Sequence, residues 1–525
     1  MIEMVRGYFG RKTGFGLNEE QYRSLCEACD HILRAPDSTD ERVAIPWLHV
    51  VREHHVFLGN YTEVLNPANN FKGIGRKWLR FLRNRAWWFL QLGRAVRSSG
   101  QAWFGSKELP ERIDVLFVSH LVNESHAGHA EDFYFGEVPS DLVAQGDSVV
   151  IALINCSRKP AEYLADKWKV SLVPRVILTD SLRILNEIAI RIRLKKESLS
   201  LRKLAKKEPP GFARRVLLRA SEESLSGGAH LSLRMAKQIG ELVAKLQPKV
   251  LVVIHEGHAW ERLALAAARS AHPNVLCIGY QHAAVFRLQH AIRRSLAPKY
   301  NPDQILTAGE ISSTQLKSST GLEGIPISVL GSNRRCKGST TNPECQTHTD
   351  RGDHSAGRVC LVLPEGIPSE CHLMFEFSIL CARVNPEIQF IWRLHPIVSF
   401  ESLKAQNPRL LNYPGNIILS KATLEEDIAR SHWALYRGTT AIVQAVVAGL
   451  RPIYLELPDE LTIDPLYELN AWRVSVASVS EFQRATLPDL KTPNTQLGSD
   501  FEQARRYCEA FYTPLNVGKL AALIQ

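Results

Sequence analysis

The chain has 525 residues, of which 45% are hydrophobic and 22% charged, and 64 Lys and Arg against 54 Asp and Glu give a formal charge of +10. This is a globular composition, and at roughly 100–200 residues per domain the length predicts two to four domains. It excludes wholesale disorder, a collagen-like chain and a coiled coil.

Two further compositional features bear on compartment. No apolar run approaches the ~18 residues that a membrane span needs, and the start MIEMVRGYFGRKTGFG lacks the apolar core of a signal peptide, which predicts a cytoplasmic protein. Ten cysteines are too few for a disulfide framework in a chain of this length. The CxxC pair Cys26 and Cys29 has no second pair to complete a zinc site, so we interpret both as reduced thiols on a helix.

Residues 1–110 show helical patterns, NEEQYRSLCEACDHIL and then VAIPWLHVVREHHVFL, and predict a helical N-terminal region. Within it, 71–105 carry eight Lys and Arg and no acid, with aromatic residues near helical spacing. Aromatic residues beside basic ones suit an anionic lipid surface, so this region is a candidate for peripheral membrane association. The alternative is a helix whose apolar stripe packs on its own domain while its basic face meets water.

A second basic segment, 191–219, has eleven Lys and Arg against two acids. It predicts either a solvated pair of helices or a surface that collects an anionic acceptor. Neither basic segment is accompanied by a recognisable nucleic-acid-binding module, so we expect no nucleic-acid partner.

From residue 112 the pattern changes to short β-branched runs separated by helical stretches. The predicted strands lie at 114–119, 148–154, 175–180, 249–254, 275–280 and 304–309. This alternation predicts a parallel sheet covered by helices, and we assign 111–333 to a first Rossmann-like domain.

Residues 334–357 contain no Leu, Ile, Val or Phe and are predicted to be a linker. Beyond them the strand pattern restarts, at 358–364, 388–396, 416–420, 432–438 and 451–457, with a last helix near 501–511. We therefore predict an α/β chain with a second Rossmann-like, doubly wound domain over 358–525. Two such domains are expected to face a ligand cleft from the carboxyl ends of their strands.

In the first predicted sheet, candidate catalytic side chains follow the strand 249–254, in the order His255, Glu256, Gly257, His258. A Glu whose pKa is raised by partial burial suits a general base that takes a hydroxyl proton, with His255 and His258 as rival bases. The structural alternative is that Glu256 caps its own helix. Other strand ends place candidate acceptor contacts on the same rim, at His120, Asn123, Gln281 and His282. The loop that holds His126, His129, Glu131 and Asp132 lacks a tight third ligand, so we predict no metal site.

In the second predicted sheet, the strand ending at Tyr436 passes through Arg437 and Gly438 into a helix opened by Thr439 and Thr440. Backbone amides at such a turn favour phosphate, although it can equally be an ordinary helix cap. Upstream, Arg393 and His395, followed by Pro396, close a strand and can together stabilise a leaving phosphate without a metal. Glu365, directly after the strand 358–364, completes the predicted donor-binding set.

These motifs resemble bacterial surface-polysaccharide glycosyltransferases of the two-Rossmann GT-B architecture, in particular the sialyltransferase, polysialyltransferase and Kdo-transferase group. In that group an acidic-Gly motif supplies the base, a His-Pro motif holds the CMP phosphate and a Ser/Thr-rich turn binds the nucleotide. The matching residues are Glu256 with Gly257, His395 with Pro396, and Thr439 with Thr440. The stretches SHLVNESHAGHAEDFYFG and LYRGTTAIVQAVVAGLRPIYLELPDELTIDPL are also similar to proteins described only as surface carbohydrate biosynthesis proteins. Two differences stand out: His255 replaces a usual second carboxylate, and the turn has Thr-Thr where Ser is common.

The resemblance implies a metal-independent glycosyltransferase of surface polysaccharide biosynthesis. It would use a nucleotide-sugar co-substrate, with a CMP-activated ulosonic acid as the leading candidate, a glycan or lipid-linked acceptor, and no resident cofactor. One alternative is a CDP-polyol phosphotransferase, since such polymerases also carry His-Pro pairs. Another is a non-catalytic scaffold protein that binds nucleotide sugars.

Overall fold

The computed structural model describes residues 17–65, 70–106, 109–168, 172–334, 358–487 and 494–524. The α-helices of these residues are α1 (Glu19–Leu33), α2 (Asp40–Val43), α3 (His55–Leu58), α4 (Thr62–Leu65), α5 (Asn70–Arg97), α6 (Val138–Ala144), α7 (Ala161–Ala165), α8 (Ile184–Lys207), α9 (Phe212–Glu223), α10 (Gly227–Leu246), α11 (Ala259–Ala271), α12 (Glu310–Lys317), α13 (Pro368–Val384), α14 (Phe400–Gln406), α15 (Leu424–Ala429), α16 (Ala441–Val447), α17 (Val479–Thr486), α18 (Asn494–Glu509) and α19 (Val517–Ile524). The strands are β1 (Trp103–Gly105), β2 (Val115–Leu121), β3 (Val149–Asn155), β4 (Arg175–Leu178), β5 (Val250–Ile254), β6 (Leu276–Gln281), β7 (Gln304–Thr307), β8 (Ile327–Val329), β9 (Arg358–Leu363), β10 (Ile388–Trp392), β11 (Ile417–Leu419), β12 (Trp433–Tyr436), β13 (Arg451–Leu455) and β14 (Val474–Val476).

The first sheet has eight strands in the order β1-β4-β3-β2-β5-β6-β7-β8. Its pairings are parallel except for β1, which runs antiparallel to β4 at one edge. The chain therefore winds outward in one direction from β2 and in the other direction from β5. The crevice between the carboxyl ends of β2 and β5 is the topological switch point where ligands bind in such sheets.

Apolar residues cover both faces of this sheet, as expected for parallel strands. Along β2, Val115 and Phe117 belong to one buried cluster, whereas Leu116 and Val118 belong to the cluster on the opposite face. The same alternation runs along β5. Two buried layers thus hold the strands rigid up to the residues that follow their carboxyl ends.

The second sheet has six parallel strands in the order β11-β10-β9-β12-β13-β14. Its switch point lies between β9 and β12. Beneath it, Trp392 at the end of β10 stacks on Phe375 with ring centroids 4.3 Å apart, and its indole N–H donates to the Ser378 hydroxyl at 2.8 Å. The prediction of two doubly wound, Rossmann-like α/β sheets is confirmed by these strand orders.

The chain divides into two compact units. The N-terminal unit comprises Leu17–His282, Leu288–Asn333 and Thr513–Gln525, and the C-terminal unit comprises Arg334–Tyr512 together with Ala283–Arg287. The structure thus differs from the domain boundaries predicted at 110 and 525. The helical region joins the first sheet, partly through the buried ion pair of Arg42 Nε and Glu197 Oε1 at 2.7 Å. Helix α19 joins it as well, because Leu520 and Ile524 enter its core. Nearly all of the predicted linker, 335–357, lies outside the described residues.

Every predicted strand is present and most are shorter than predicted, but the sequence pattern missed β1, β8 and β14. Each of these has three residues, lies at or near a sheet edge and is only partly buried, so it lacks the long apolar run that marks the others. The predicted strands 388–396 and 432–438 end earlier, at Trp392 and Tyr436. The polar residues that follow both strands are therefore loop residues at the sheet edge.

The N-terminal helical patterns had mixed outcomes. Helix α1 is present with a capping box at Asn18, and the thiols of Cys26 and Cys29 are buried within it, which raises the pKa of each. The pattern over 43–58 instead forms short turns, with a 3₁₀ helix over Pro46–His49. Proline at its start favours such a turn and interrupts a longer helix.

The two basic segments are both helical. Segment 191–219 spans most of α8 and the first part of α9, two helices that pack on each other. Segment 71–105 is mainly α5. None of the described helices combines the length and apolar character that crossing a membrane requires.

Candidate functional site

A tight turn follows β5 at the switch point of the N-terminal sheet. Gly257 has φ +85°, and a Cβ there would lie 2.3 Å from the carbonyl carbon of Ala291. Only glycine fits this position without displacing backbone. The turn thus holds Glu256 and His258 on either side of a point where two chain segments nearly touch.

Glu261, in the first turn of α11, fastens this turn from within. Its Oε2 accepts hydrogen bonds from the backbone amides of Glu256 at 2.8 Å, Gly257 at 2.7 Å and His258 at 3.0 Å. Glu261 was not among the residues predicted from the sequence, although an acidic residue three positions after a helix cap is a known signal of a helix N-terminus. Since Glu261 takes these amides, the cap role considered for Glu256 belongs to Glu261.

Glu256 and His258 form a pair, with 3.4 Å between Glu256 Oε2 and His258 Nε2, and their side chains keep 30% and 40% of their accessible surface. Burial acts to raise the pKa of Glu256, but the hydrogen bond from His258 and the charges of His282, His258 and Arg52 outweigh it, so the pKa is lowered. Burial acts to lower the pKa of His258, whereas its bond to Glu256 and the nearby carboxylates raise it. The expectation of a raised Glu256 pKa was therefore wrong, because the imidazole stabilises the carboxylate.

His255 occupies a different environment. Its side chain is 1% exposed, its Nδ1 lies 3.3 Å from Glu261 Oε2, and a Cβ on Gly279 would be 2.9 Å from its ring. Burial lowers its pKa. His255 thus packs under the turn, whereas His258 and Glu256 are the members of the motif that reach the surface.

Aromatic side chains contact two other candidate residues, His120 and His282. His120, at the end of β2, lies edge-on to Trp260 with centroids 5.3 Å apart, and burial lowers its pKa to about 4. His282, after β6, lies edge-on to Tyr134 at 4.6 Å. His120, Glu256 and His282 lie at the carboxyl ends of β2, β5 and β6, which are neighbouring parallel strands, so these candidates lie at one edge of the sheet.

The other predicted acceptor residues differ in accessibility. Gln281 is 2% exposed at the end of β6. Asn123 caps a 3₁₀ turn by accepting from the His126 amide at 3.3 Å. In the loop considered for metal chemistry, Asp132 accepts from the Ser119 hydroxyl and from two backbone amides, and His126 stacks on Phe133. These side chains serve the loop itself.

A second cluster occupies the switch point of the C-terminal sheet, between β9 and β12. A Cβ on Gly366 would lie 2.8 Å from His395 Nδ1, and one on Gly438 would lie 2.2 Å from Glu365 Oε1. His395 and Glu365 therefore lie directly against the backbone of two loops. The residues after β9, β10 and β12 meet here, as the prediction of a shared donor site requires.

His395 is exposed and has a defined orientation. Its Nδ1 accepts from the Ile397 amide at 3.4 Å, so in the neutral ring Nε2 carries the proton and is the available donor. Burial and the charge of Arg334 lower the pKa of His395, and Glu365 acts in the opposite direction. Pro396 follows at the exposed edge.

The two arginines predicted for this site have protein partners. Arg393 donates to the Ala422 carbonyl at 2.8 Å and to Asp427 Oδ2 at 2.7 Å. Arg437 is 1% exposed, with Nη2 2.7 Å from Glu460 Oε2 and Nη1 3.5 Å from Glu370 Oε1. Each guanidinium is thus paired with buried carboxylates of the protein. His395 therefore remains the candidate hydrogen-bond donor of this cluster.

Thr439 and Thr440 precede α16, as predicted, but Thr440 does not cap the helix with its hydroxyl. The helix starts at Ala441, and Thr440 is its cap residue without a side-chain cap bond. The Thr439 hydroxyl accepts from the Ala441 amide at 3.4 Å. Thr439 is 8% exposed and lies beside Gly438 and therefore close to Glu365.

Comparison of the chain with known proteins gave matches among solved structures only. No family model and no curated protein sequence matches it. Among solved structures, it is similar to the glycotransferase of kitacinnamycin, with 13% identity over 79% of this chain and 99% of that one and a TM-score of 0.45. It is also similar to the glycosyltransferase SnogD from Streptomyces nogalater, with 14% identity, 78% and 100% coverage and a TM-score of 0.42. UDP-GlcNAc 2-epimerase from Neisseria meningitidis, bound to UDP-GlcNAc, matches with 13% identity, 78% and 99% coverage and a TM-score of 0.40.

Proposed function

We propose that the protein is a glycosyltransferase of cell-surface polysaccharide biosynthesis. It moves a sugar, with a CMP-activated ulosonic acid as the leading candidate donor, onto a hydroxyl of a glycan or lipid-linked acceptor. The observation that carries this proposal is that each unit places one polar cluster at the switch point of its own doubly wound sheet. Such crevices are where nucleotides and their substrates bind in this class of fold.

The cluster of the C-terminal unit suits the activated donor. His395 presents Nε2–H, and the missing side chains of Gly366 and Gly438 let His395 and Glu365 lie directly against the two loops. A leaving nucleotide phosphate gains negative charge as its bond to the sugar breaks. A directed imidazole donor stabilises that charge without a metal ion.

The cluster of the N-terminal unit suits the acceptor, and His258 is its best base. Neutral His258 takes the proton of an acceptor hydroxyl, and the oxygen forms a bond to the anomeric carbon. The bond from that carbon to the donor phosphate breaks, and its electron pair leaves with the nucleotide. Glu256 then stabilises the imidazolium that results, because it lies 3.4 Å away and its pKa is lowered.

An association with the inner face of the plasma membrane is supported by α5. Its large apolar side chains Trp78, Phe81, Leu82 and Phe89 recur at helical spacing and are 47–66% exposed. Its opposite face holds Arg80, which pairs with Glu63 and Glu222, and the buried Gln91. The apolar stripe therefore faces away from its own unit, as an interfacial helix requires.

Calorimetric titration with CMP, CDP, UDP and GDP, each with and without EDTA, tests the proposal. We expect CMP to bind in both conditions. If UDP or GDP binds in the presence of EDTA, the proposal of a metal-independent transferase stands, but the donor carries that nucleotide instead of CMP. A preference for CDP favours a polyol phosphotransferase instead, and no nucleotide binding, or binding abolished by EDTA, contradicts the proposal.

The same titration locates the donor site. We expect His395→Ala to weaken nucleotide binding by about tenfold, as loss of one charge-assisted hydrogen bond of ~1.4 kcal/mol implies. Arg383→Ala removes an exposed cation elsewhere, on α13, and is the matched control. Equal affinity in the two variants would place the nucleotide elsewhere.

A further inference from the structure

The N-terminal unit contains a cavity of about 660 Å³ that the candidate site does not use. It lies at the carboxyl ends of β3 and β4 and is bounded by α5 and by residues 227–238 of α10. Its volume lies within the ~300–1,000 Å³ of small-molecule binding pockets.

Three buried side chains that line this cavity have polar atoms with no hydrogen-bond partner among the described residues. Arg234 is 6% exposed and leaves Nε and Nη1 without a partner. Gln91 and Gln238 are each 1% exposed, and each leaves Oε1 without a partner. Leaving such groups unsatisfied costs about 1–3 kcal/mol each, so the cavity is chemically incomplete.

The hydrogen bonds made by Gln91 and Gln238 show which atom of each side-chain amide has no partner. Gln238 Nε2 donates to the carbonyl oxygens of Ala102 at 2.8 Å and Thr179 at 2.9 Å. Gln91 Nε2 donates to the Asp180 carbonyl at 3.0 Å and to the Glu187 carboxylate at 3.3 Å. A flipped amide would set oxygen against oxygen, so both unpartnered atoms are acceptors.

Indole rings form part of the wall. Trp87 lies against the first residue of α10, since a Cβ on Gly227 would be 2.7 Å from its ring. Trp47, also at the cavity, stacks on Tyr61 with centroids 4.8 Å apart. Rigid aromatic faces beside convergent polar atoms suit a ligand that has both apolar and hydroxylated surfaces.

The unpartnered atoms discriminate between ligand classes. A phosphate only accepts hydrogen bonds, so it would satisfy Arg234 and leave both glutamine oxygens unpaired. A cation would satisfy the oxygens, and Asp180 and Glu223 also line the cavity. However, the three guanidinium groups of Arg83, Arg94 and Arg234 outnumber these carboxylates and oppose a cation. Hydroxyl groups both donate and accept, so a polyhydroxylated ligand satisfies all three side chains.

We propose that this cavity binds a short glycan segment, since its volume of about 660 Å³ is that of a small-molecule pocket. Its hydroxyls donate to Oε1 of Gln91 and Gln238 and accept from Arg234, while a sugar face lies on an indole ring. The inference concerns binding by one unit and does not depend on the transfer reaction. In a transferase, this segment is the part of the acceptor that does not react.

Cys156 provides a direct measurement, because it is exposed at this cavity while the other described cysteines are buried. The alkylation rate of Cys156 by iodoacetamide is followed on its own peptide by mass spectrometry, with full-length protein. The probes are neutral and carboxylate-bearing oligosaccharides of two to four units, with inorganic pyrophosphate as the anion probe. We expect at least one oligosaccharide to slow alkylation fivefold or more, and pyrophosphate to leave it unchanged.

Two variants test the polar contacts. Arg234→Met keeps an unbranched apolar stem in place of the arginine stem and removes its donors, and we expect tenfold weaker protection by the same oligosaccharide. Leu231→Trp fills the cavity from α10 and should abolish protection. Arg97→Gln, exposed on α5 and outside the cavity, is the control and should match wild type. Thermal melts confirm that each variant is folded.

Three outcomes would overturn the proposal. Protection by pyrophosphate alone would indicate an anion site, and protection by no probe would indicate a cavity filled by water. Undiminished protection in Arg234→Met would show that the guanidinium does not contact the ligand. None of these measurements uses a nucleotide. Failure here therefore leaves the titration of the proposed donor site unaffected, and failure of that titration leaves this proposal standing.

Discussion

Glu256 and His258 shift each other's pKa in opposite directions. The carboxylate raises the pKa of the imidazole, and the imidazole lowers the pKa of the carboxylate. A carboxylate stabilised in this way is a weak proton acceptor, whereas a histidine with a raised pKa is a stronger one above that pKa. Glu256 and His258 therefore differ as proton acceptors, although the sequence offered both as candidate bases.

The pH dependence of transfer distinguishes the two bases. If His258 is the base, kcat/KM falls on the acid side as His258 gains a proton, at a pH above the ordinary 6.5. Glu256→Gln removes the carboxylate that raises this pKa, so we expect the acid limb to move to lower pH. We also expect the plateau rate to fall by about 10–100-fold, since the carboxylate orients the imidazole. His258→Ala should cost ~10²–10⁴-fold in kcat.

These assays need the donor identified by titration. A variant Glu256→Gln with full turnover and an unmoved acid limb would show that the carboxylate has no part in proton transfer. Retained turnover in His258→Ala together with complete loss in Glu256→Gln would return the base to Glu256.

Gly257 makes the turn possible, and its replacement should be costly. Gly257→Ala forces an L residue into φ +85° and places its Cβ 2.3 Å from the Ala291 carbonyl carbon. We expect a loss of more than about 2 kcal/mol in the free energy of unfolding. Gly324 has φ +83° with no atom near its Cβ position, so Gly324→Ala isolates the cost of the dihedral angle, about 1 kcal/mol. Equal losses in urea unfolding would show that the Ala291 contact is easily relieved.

Helix α5 shows how one element can carry two surfaces. Trp87, Trp88 and Gln91 pack into the N-terminal unit, and both indole rings contact His230. Trp78, Phe81 and Phe89 point away from the unit. The alternative considered from the sequence, an apolar stripe packed on its own domain, is therefore not what the described residues of this helix show.

We expect the double variant Phe81→Glu with Phe89→Glu to lose binding to liposomes that contain phosphatidylserine, with little change in stability because both side chains are exposed. Each substitution removes apolar insertion and adds repulsion from anionic lipid. Leu199→Glu on α8, which is 50% exposed, is the control and should co-sediment like wild type. Co-sedimentation of the double variant at the wild-type level would reject a lipid-binding role for α5.

At the scale of the whole molecule, the last described helix packs in the N-terminal unit. Helix α19 buries Leu520 and Ile524 in the same core as Val138 and Leu142 of α6. The strands of the C-terminal unit pack around a separate core that includes Phe375 and Trp392. The last turns of the chain therefore stabilise the unit that holds the candidate base.

Hydrogen exchange tests this assignment. We expect Leu520→Ala to cost ~2–4 kcal/mol, because it deletes a fully buried side chain. Protection should fall in β2 and β3 and remain in β9 and β10. Lys519→Ala, exposed on the same helix, should leave both units unchanged. Uniform loss of protection in both sheets would mean that α19 stabilises the two units alike.

Sequence by itself determined the two sheets, because buried parallel strands need continuous Val, Ile and Leu runs and these are visible along the chain. It also located the loops of the candidate site, since polar residues that interrupt such runs must lie where strands end. His258, Glu256, His395 and Gly438 follow from that reasoning. Short edge strands such as β1 and β14 escaped it, because three half-buried residues leave no periodic signal.

Only the tertiary structure decided what each charged side chain does. Arg393 and Arg437 look like phosphate donors from the sequence, but Asp427, Glu370 and Glu460 approach from distant positions and engage them. The pKa of Glu256 depends on His258 and His282. The surroundings of Arg234 are formed by helices and strand ends that are distant from one another in the sequence. Burial and pairing depend on distances through space between residues far apart in the chain, and local pattern carries no information about them.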